Sequence, residues 1–162
     1  MATKQEMRNK TCCFTGHREI PKRDAKRIAA NLEKTTIGLI ERGYLYFGAG
    51  GARGFDAMAA QTVLRLRTRY PDIKLILVLP CRNQTKGWSA KDVEEHKYIK
   101  AWADKVVYIA QEYAPGCMHK RNRHLVDNSS TCVCYWVKEG GGTDYTVSYA
   151  HLKGLEVINV AP

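Results

Sequence analysis

No apolar run in this chain approaches the roughly 20 residues that cross a bilayer, so no membrane partner is expected. Met1 to Lys10 is polar and basic and lacks the apolar stretch of a secretory signal. The expected location is therefore cytoplasmic. There is no Cys-x-x-Cys pair, the commonest start of a zinc site. Of the six cysteines, Cys12 and Cys13 fall in one strand-like run and Cys132 and Cys134 in another, where a thiol serves as a small buried apolar group. Cys81, Cys117, His96 and His119 converge only if the fold brings them together, and no metal site is expected. No Gly-Lys-Ser/Thr follows a glycine loop, and the GxGxxG spacing is missing, which excludes the two commonest phosphate-loop signatures. Linkers, internal repeats and low-complexity segments are also lacking. The 162 residues fit one domain spanning 1–162, with residues 1–10 as a basic N-terminal segment that need not be ordered.

What is present is an ordinary soluble composition, 44% hydrophobic and 26% charged, with a formal net charge of +10. The charge is uneven. Lys4, Arg8, Lys10, Arg18, Lys22, Arg23, Lys26 and Arg27 crowd the N-terminal part, and Arg65, Arg67 and Arg69 form a second group. Lys120, Arg121 and Arg123 form a third. Such a balance favours anionic partners: nucleotides, nucleic acid or acidic surfaces. The alternative is a solvated basic surface with no partner.

Apolar spacing alternates between strand and helix along the chain. Thr11 to Thr15 is a first strand, ending at Gly16. Pro21 opens a helix with Ala25, Ile28, Ala29, Leu32, Leu39 and Ile40 on one face, and Gly43 ends it. Tyr44 to Phe47 is a second strand. The helix from Phe55 turns Ala59, Val63, Leu66 and Tyr70 inward and stops at Pro71. Ile73 to Leu79 is nearly continuous in Ile, Leu and Val, as in a strand covered on both faces. Ser89 caps a helix with Val93, Ile99, Trp102 and Ala103 as its apolar stripe. Strands at Val106 to Ala110, Thr131 to Val137 and Glu156 to Val160 follow, with helices at Met118 to Asp127 and Asp144 to Lys153 between them. The alternation predicts an α/β fold: a doubly wound, mostly parallel sheet with helices on both faces.

Gly48 to Asp56 holds four glycines in seven residues between a strand and a helix. Glycine lets the backbone approach a ligand, and the helix start offers free N–H groups to an anion. A tight turn with glycines for packing alone is the competing account. In doubly wound sheets ligands sit beyond the carboxyl ends of the strands, near the switch point in strand order. With the first strand central, Gly16-His17-Arg18, the glycine turn and Gly140 to Thr143 lie on that one edge, which favours binding.

Together these segments resemble the SLOG superfamily, whose members include cytokinin-activating phosphoribohydrolases and the DNA-processing protein DprA. The likeness is strongest to its YpsA-like branch. It rests on Cys13-Phe14-Thr15-Gly16-His17-Arg18, Gly48 to Asp56, Gln84 with Trp88, Arg121-Asn122-Arg123, and Gly141-Gly142-Thr143. The resemblance implies a Rossmann-like fold and a pocket for a nucleotide or nucleotide derivative. It also implies that Gly141, Gly142 and Thr143 grip phosphate. The glutamate that acts on the N-glycosidic bond in the phosphoribohydrolases is replaced here by Thr146. Asp56 and Asp144 are the carboxylates nearest to that role, and each has the plainer explanation of an acid favouring a helix start.

The expected ligand-binding set is Gly16, His17, Arg18, Gly50, Gly51, Arg53, Gly54, Asp56, Trp88, Arg121, Asn122, Gly141, Gly142 and Thr143. Arg18 can fork onto a phosphate, and His17 can donate to one or cap its loop. Arg53 is a ligand contact or a partner in a salt bridge. Trp88 stacks on a base or covers the core, and Tyr113 is a lesser candidate of the same kind. The expected function is nucleotide binding for sensing or regulation. A nucleotide N-glycosidic hydrolase and a single-stranded DNA binder are the alternatives. No cofactor beyond a nucleotide-like ligand is expected, and a homo-oligomer is left open.

Overall fold

The structure is a computed structural model describing residues 1–162. The elements run α1 (Lys4–Asn9), β1 (Thr11–Gly16), α2 (Lys22–Glu41), β2 (Tyr46–Ala49), α3 (Phe55–Leu66), β3 (Lys74–Leu79), α4 (Ala90–Trp102), β4 (Lys105–Tyr108), α5 (Cys117–Asp127), β5 (Thr131–Tyr135), α6 (Gly141–Leu152) and β6 (Glu156–Asn159). The six strands form one sheet in the order β4-β3-β2-β1-β5-β6. Every pairing is parallel. This is a Rossmann-like α/β fold. The chain winds outward from β1 to β4, then returns past β1 to place β5 beside it. The switch point therefore lies between β1 and β5, where Gly16 is in register with Tyr135.

Right-handed crossovers send helices to opposite faces when the direction of winding reverses. Accordingly α2, α3 and α4 cover one face, with Ile28, Leu32, Phe55, Val63, Leu66 and Ile99 packed on Phe14, Phe47, Leu75 and Leu77. Helices α5 and α6 cover the other, with Leu125, Val126, Val147 and Ala150 on Cys13, Val78, Cys132 and Cys134. Strand alternation divides Cys12 from Cys13 between the two layers. All six cysteines are buried and unbridged. No helix is long and apolar enough to cross a membrane.

Four local features differ from the expected ones. Residues 4–9 form a helix, held by a capping box in which Thr3 and Glu6 exchange side-chain and backbone bonds. The second strand lies two residues later, because Tyr44 turns inward to place its hydroxyl 2.6 Å from that of Thr131. Helix α6 begins at Gly141, so Gly141-Gly142-Thr143 is its first turn. In α4, Trp102 faces outward with 57% exposure and meets Tyr98 at a tilt, while His96 is buried in its place. The helix carries apolar residues on both sides, so spacing alone misassigned its inner face. Ser89 caps α4 as expected, accepting the Asp92 N–H at 3.2 Å.

Candidate functional site

The carboxyl ends of β1, β2, β3 and β5 carry two clefts that share Arg18. The first, about 440 Å³, is bounded by Arg18, Arg53, Gln84, Lys86, Trp88 and Tyr113, with Cys81, Asn83 and Met118 also in its walls. The second, about 470 Å³, is bounded by His17, Arg18, Ile20, Tyr135, Val137 and Lys138. Both volumes fall within the range of small-molecule sites. The first cleft contains three cationic side chains, no carboxylate and two aromatic rings. A larger cavity of about 730 Å³, among α1, β2, β3, β4 and α5, contains none of the expected site residues.

The glycine turn forms the wall between β2 and α3. Its carbonyls are held from one direction. Gly50 O accepts Nη1 of Arg121, and also Nε2 of Gln84 at 3.2 Å. Gly51 O lies 3.1 Å from Nδ1 of His96, which must therefore carry its proton there. Its amides are held from another. Asp56 accepts the Ala52 N–H at 3.3 Å, and the Gly50 amide also favours its charged form. The first amide of α3, that of Phe55, donates to the carbonyl of His17 at 3.1 Å. Two of the donors that the sequence offers to a phosphate, the Ala52 and Phe55 amides, are thus already satisfied from within the chain.

Gly54 shows why this turn is rich in glycine. Its φ is +76° with ψ −122°, a region open essentially to glycine alone. A Cβ there would also run into the carbonyl of Arg18. The turn therefore presses against the β1–α2 connection and fixes where Arg18 stands. Gly16 makes the matching approach, with the ring of Phe55 filling the space of a Cβ.

Two buried charges bracket the turn. Arg121, 6% exposed on α5, bonds Gly50 O and gives Nε to Asn122 Oδ1 at 2.7 Å. Asp56, also 6% exposed, takes the Ala52 amide. Burial pushes the Asp56 carboxyl up to about 6, with Arg121, the Ala52 amide and Arg18 opposing the rise. Burial likewise lowers the Arg121 guanidinium, and Asp56 opposes that.

Of the expected residues, His17, Arg18, Arg53 and Trp88 line the clefts. Arg53 is in no salt bridge; its guanidinium lies over the Trp88 ring at 4.8 Å. Trp88 also meets His96 edge-on at 5.4 Å. Arg53 Nε and Gln84 Oε1 are buried without a hydrogen-bond partner. His17 caps its neighbouring loop: Nε2 accepts the Val137 N–H at 3.0 Å, which requires a neutral ring. Burial and the Lys138 charge both lower its pKa, in keeping with that bond.

Gly50, Gly51, Gly54, Asp56, Arg121 and Asn122 lie beneath the clefts as their scaffold. Gly141, Gly142 and Thr143 line neither cleft; the side-chain amide of Asn122 is their link, 4.0 Å from the place of a Gly142 Cβ. Asp144 accepts the Gly140 N–H at 3.0 Å and so caps α6. Thr146 gives its hydroxyl to Gly142 O at 2.8 Å. Lys86, Lys138, Asn83 and Met118 carry no site signal in the sequence, and His96 is weighed there only as a metal ligand. Nothing in their spacing marks them, because they reach the site from the β3–α4 loop, α4, α5 and the segment after β5.

Several known proteins are similar to this chain in sequence or in fold. A relative from Bacillus subtilis strain 168, the uncharacterized SPbeta prophage-derived protein YoqJ, is 30% identical over 116 residues, covering 64% of this chain and 68% of its own. A UPF0398 protein of Bacillus thuringiensis strain Al Hakam is 26% identical over 126 residues, covering 76% and 68%. Among solved structures, DprA from Streptococcus pneumoniae superposes with a TM-score of 0.63 at 19% identity. DprA from Helicobacter pylori, known for its single-stranded DNA binding mode, gives 0.64 at 15%. The matches cover 93% and 91% of this chain but only 50% and 63% of those proteins, so the likeness is one of fold over part of a longer molecule. The model of the YspA SLOG family (YpsA) matches residues 13–155, and the chain belongs to that family.

Proposed function

We propose that this chain binds a nucleotide or nucleotide-derived ligand across the two clefts joined at Arg18, for sensing or regulation rather than turnover. The observation that carries the reading is the first cleft itself. It sets Arg18, Arg53 and Lys86 around Trp88 and Tyr113 at the carboxyl edge of a parallel sheet. Cations suit phosphate, and a planar guanidinium stacked on indole offers a flat face to a base. The first turn of α6 is the second anion-directed element on that edge, as the family resemblance implies.

The positions of the carboxylates favour binding over hydrolysis. Asp56 is committed to the glycine turn and Asp144 to the Gly140 amide. A general acid or base must reach the reacting bond, and the family's glutamate position is Thr146.

A thermal-shift panel of nucleoside monophosphates, NAD, ADP-ribose and a short single-stranded oligonucleotide tests the reading. A ligand at 100 times its dissociation constant adds about 2.7 kcal/mol of stability. A rise with one small nucleotide that is lost in Arg18→Ala supports the proposal. No rise with any small nucleotide sinks it. Single-stranded DNA binding is the second reading, favoured by the DprA-like fold and the net charge of +10. It requires steeply salt-dependent affinity for the oligonucleotide.

A further inference from the structure

Asp56 stands out because it is a carboxylate buried beneath a cationic site and not committed to a salt bridge. It has a specific geometric task. The backbone of the glycine turn exposes carbonyls to one charge and amides to the other. Arg121 from α5 takes the Gly50 carbonyl, and Asp56 from α3 takes the Ala52 amide. The peptide units between them are thereby fixed in orientation. Arg53 leaves this turn directly to stack on Trp88, so the placement of the cleft's aromatic wall depends on the turn being held. An ionised carboxylate accepts this amide roughly twice as strongly as a neutral group does.

We propose that Asp56 is a positioning residue: its ionised carboxylate clamps the glycine turn opposite Arg121, and neutralising it frees the turn and the Arg53–Trp88 stack while leaving the fold at least as stable. The two halves of this statement pull in opposite directions, which makes it testable. Holding a charge in so buried a place lowers the stability of the fold. That burial pushes the Asp56 pKa up is consistent with such a cost. A carboxylate kept ionised at a cost to stability is what a functional constraint leaves behind, and a purely structural acid has no reason to be so placed.

The charged and titratable groups around it are few. Arg121 faces it from α5 and Arg18 from the β1–α2 connection. Arg53 of the turn, and Asp92, Glu95 and His96 of α4, line the small cavity beside it. His96 donates to the Gly51 carbonyl, and burial lowers its pKa, so its own titration is separated from that of Asp56 by the His96→Gln variant.

The inference rests on the proposed function only for what the turn is positioned to do; its test needs no ligand. Asp56→Asn keeps the shape and removes the charge. Unfolding midpoints and amide exchange at Ala52, taken relative to the intrinsic rate at each pH, are measured for both proteins at one neutral pH, and for the unaltered chain again near pH 5. The expected result is a midpoint in Asp56→Asn equal to or above that of the unaltered protein, with the Ala52 amide exchanging at least tenfold faster. Acidification of the unaltered chain should reproduce both changes, and should still do so in His96→Gln. A lowered midpoint alongside faster exchange makes Asp56 an ordinary structural acid and overturns the proposal. Unchanged exchange overturns it whatever the midpoint does. AMP, added afterwards, should bind Asp56→Asn at least tenfold more weakly. Failure of AMP to bind either protein counts against the nucleotide reading and leaves the exchange result standing.

Discussion

Replacing Gly54 with alanine tests the central packing claim, that the glycine turn is pressed onto the β1–α2 connection. Two costs add at this position. The backbone lies at φ +76°, ψ −122°, where a side chain costs on the order of 1–3 kcal/mol. The new methyl would also collide with the carbonyl of Arg18, and backbone displacement to relieve such overlap costs about 1–3 kcal/mol more. Gly140 supplies the control. It has a similar backbone, φ +82° and ψ 159°, but nothing within 4 Å of a Cβ. Gly140→Ala should therefore lose only the conformational part, about 2 kcal/mol. Gly54→Ala should lose about 4 kcal/mol. Urea denaturation with an unchanged slope measures both. Each kcal/mol corresponds to roughly 2–4 °C in the unfolding midpoint for a chain of this size. Gly54→Ala should also weaken anion binding, because the displaced segment carries Arg18. Equal losses in the two variants would refute the reasoning, since the collision with Arg18 would then contribute nothing.

Other consequences follow from the same geometry. Removing Arg121 as Arg121→Met leaves Asp56 buried without its nearest opposing charge, and the fold should lose about 3 kcal/mol or more by denaturant titration. Asp56 gives a pH signature of definite sign. Its folded pKa, about 6, lies above the ordinary 3.8, so stability should fall as pH rises from 4 to 6. At 1.36 kcal/mol per unit the decline attributable to this group is about 3 kcal/mol, and Asp56→Asn should abolish it. His17 has the opposite sign. Its pKa is lowered, so its part of the stability is complete above 6.5 and is lost as pH falls below that value; His17→Gln should flatten this portion of the profile. Trp88→Phe should fold normally. Trp88→Ala should weaken nucleotide or oligonucleotide binding by about 1–3 kcal/mol, measured by titration calorimetry.

Much of the architecture was legible in the order of the residues. The run Ile73 to Leu79 announces a strand covered on both faces; β3 is an inner strand with Leu75, Leu77 and Leu79 in one apolar layer and Val78 in the other, but Ile76 is only half-buried beside a cavity. Alternation of strand and helix patterns implies parallel pairing, and all five pairings are parallel. The apolar face of α4 was not legible, because Tyr98 and Trp102 give its outer surface the same chemistry as its inner one. His17, Arg18, Arg53 and Trp88 were recognised from turns whose residue types limit what they can do, and the structure places them on two adjoining clefts.

The sequence by itself determined the strands, the helices and the turns that would meet at the switch point, because these depend on local periodicity and on glycine. It did not determine which groups those turns would satisfy. The carbonyls of the glycine turn look free in one dimension, since no donor nearby in sequence reaches them. Arg121 is 71 residues from Gly50, Gln84 is 34 and His96 is 45 from Gly51, and only folding brings them to that backbone. Tertiary structure thus decided that Arg121 and Asp56 support the turn while Arg18, Arg53 and Lys86 face the open cleft. The reason is that hydrogen bonds and burial act over a few ångströms of space, whatever the distance along the chain.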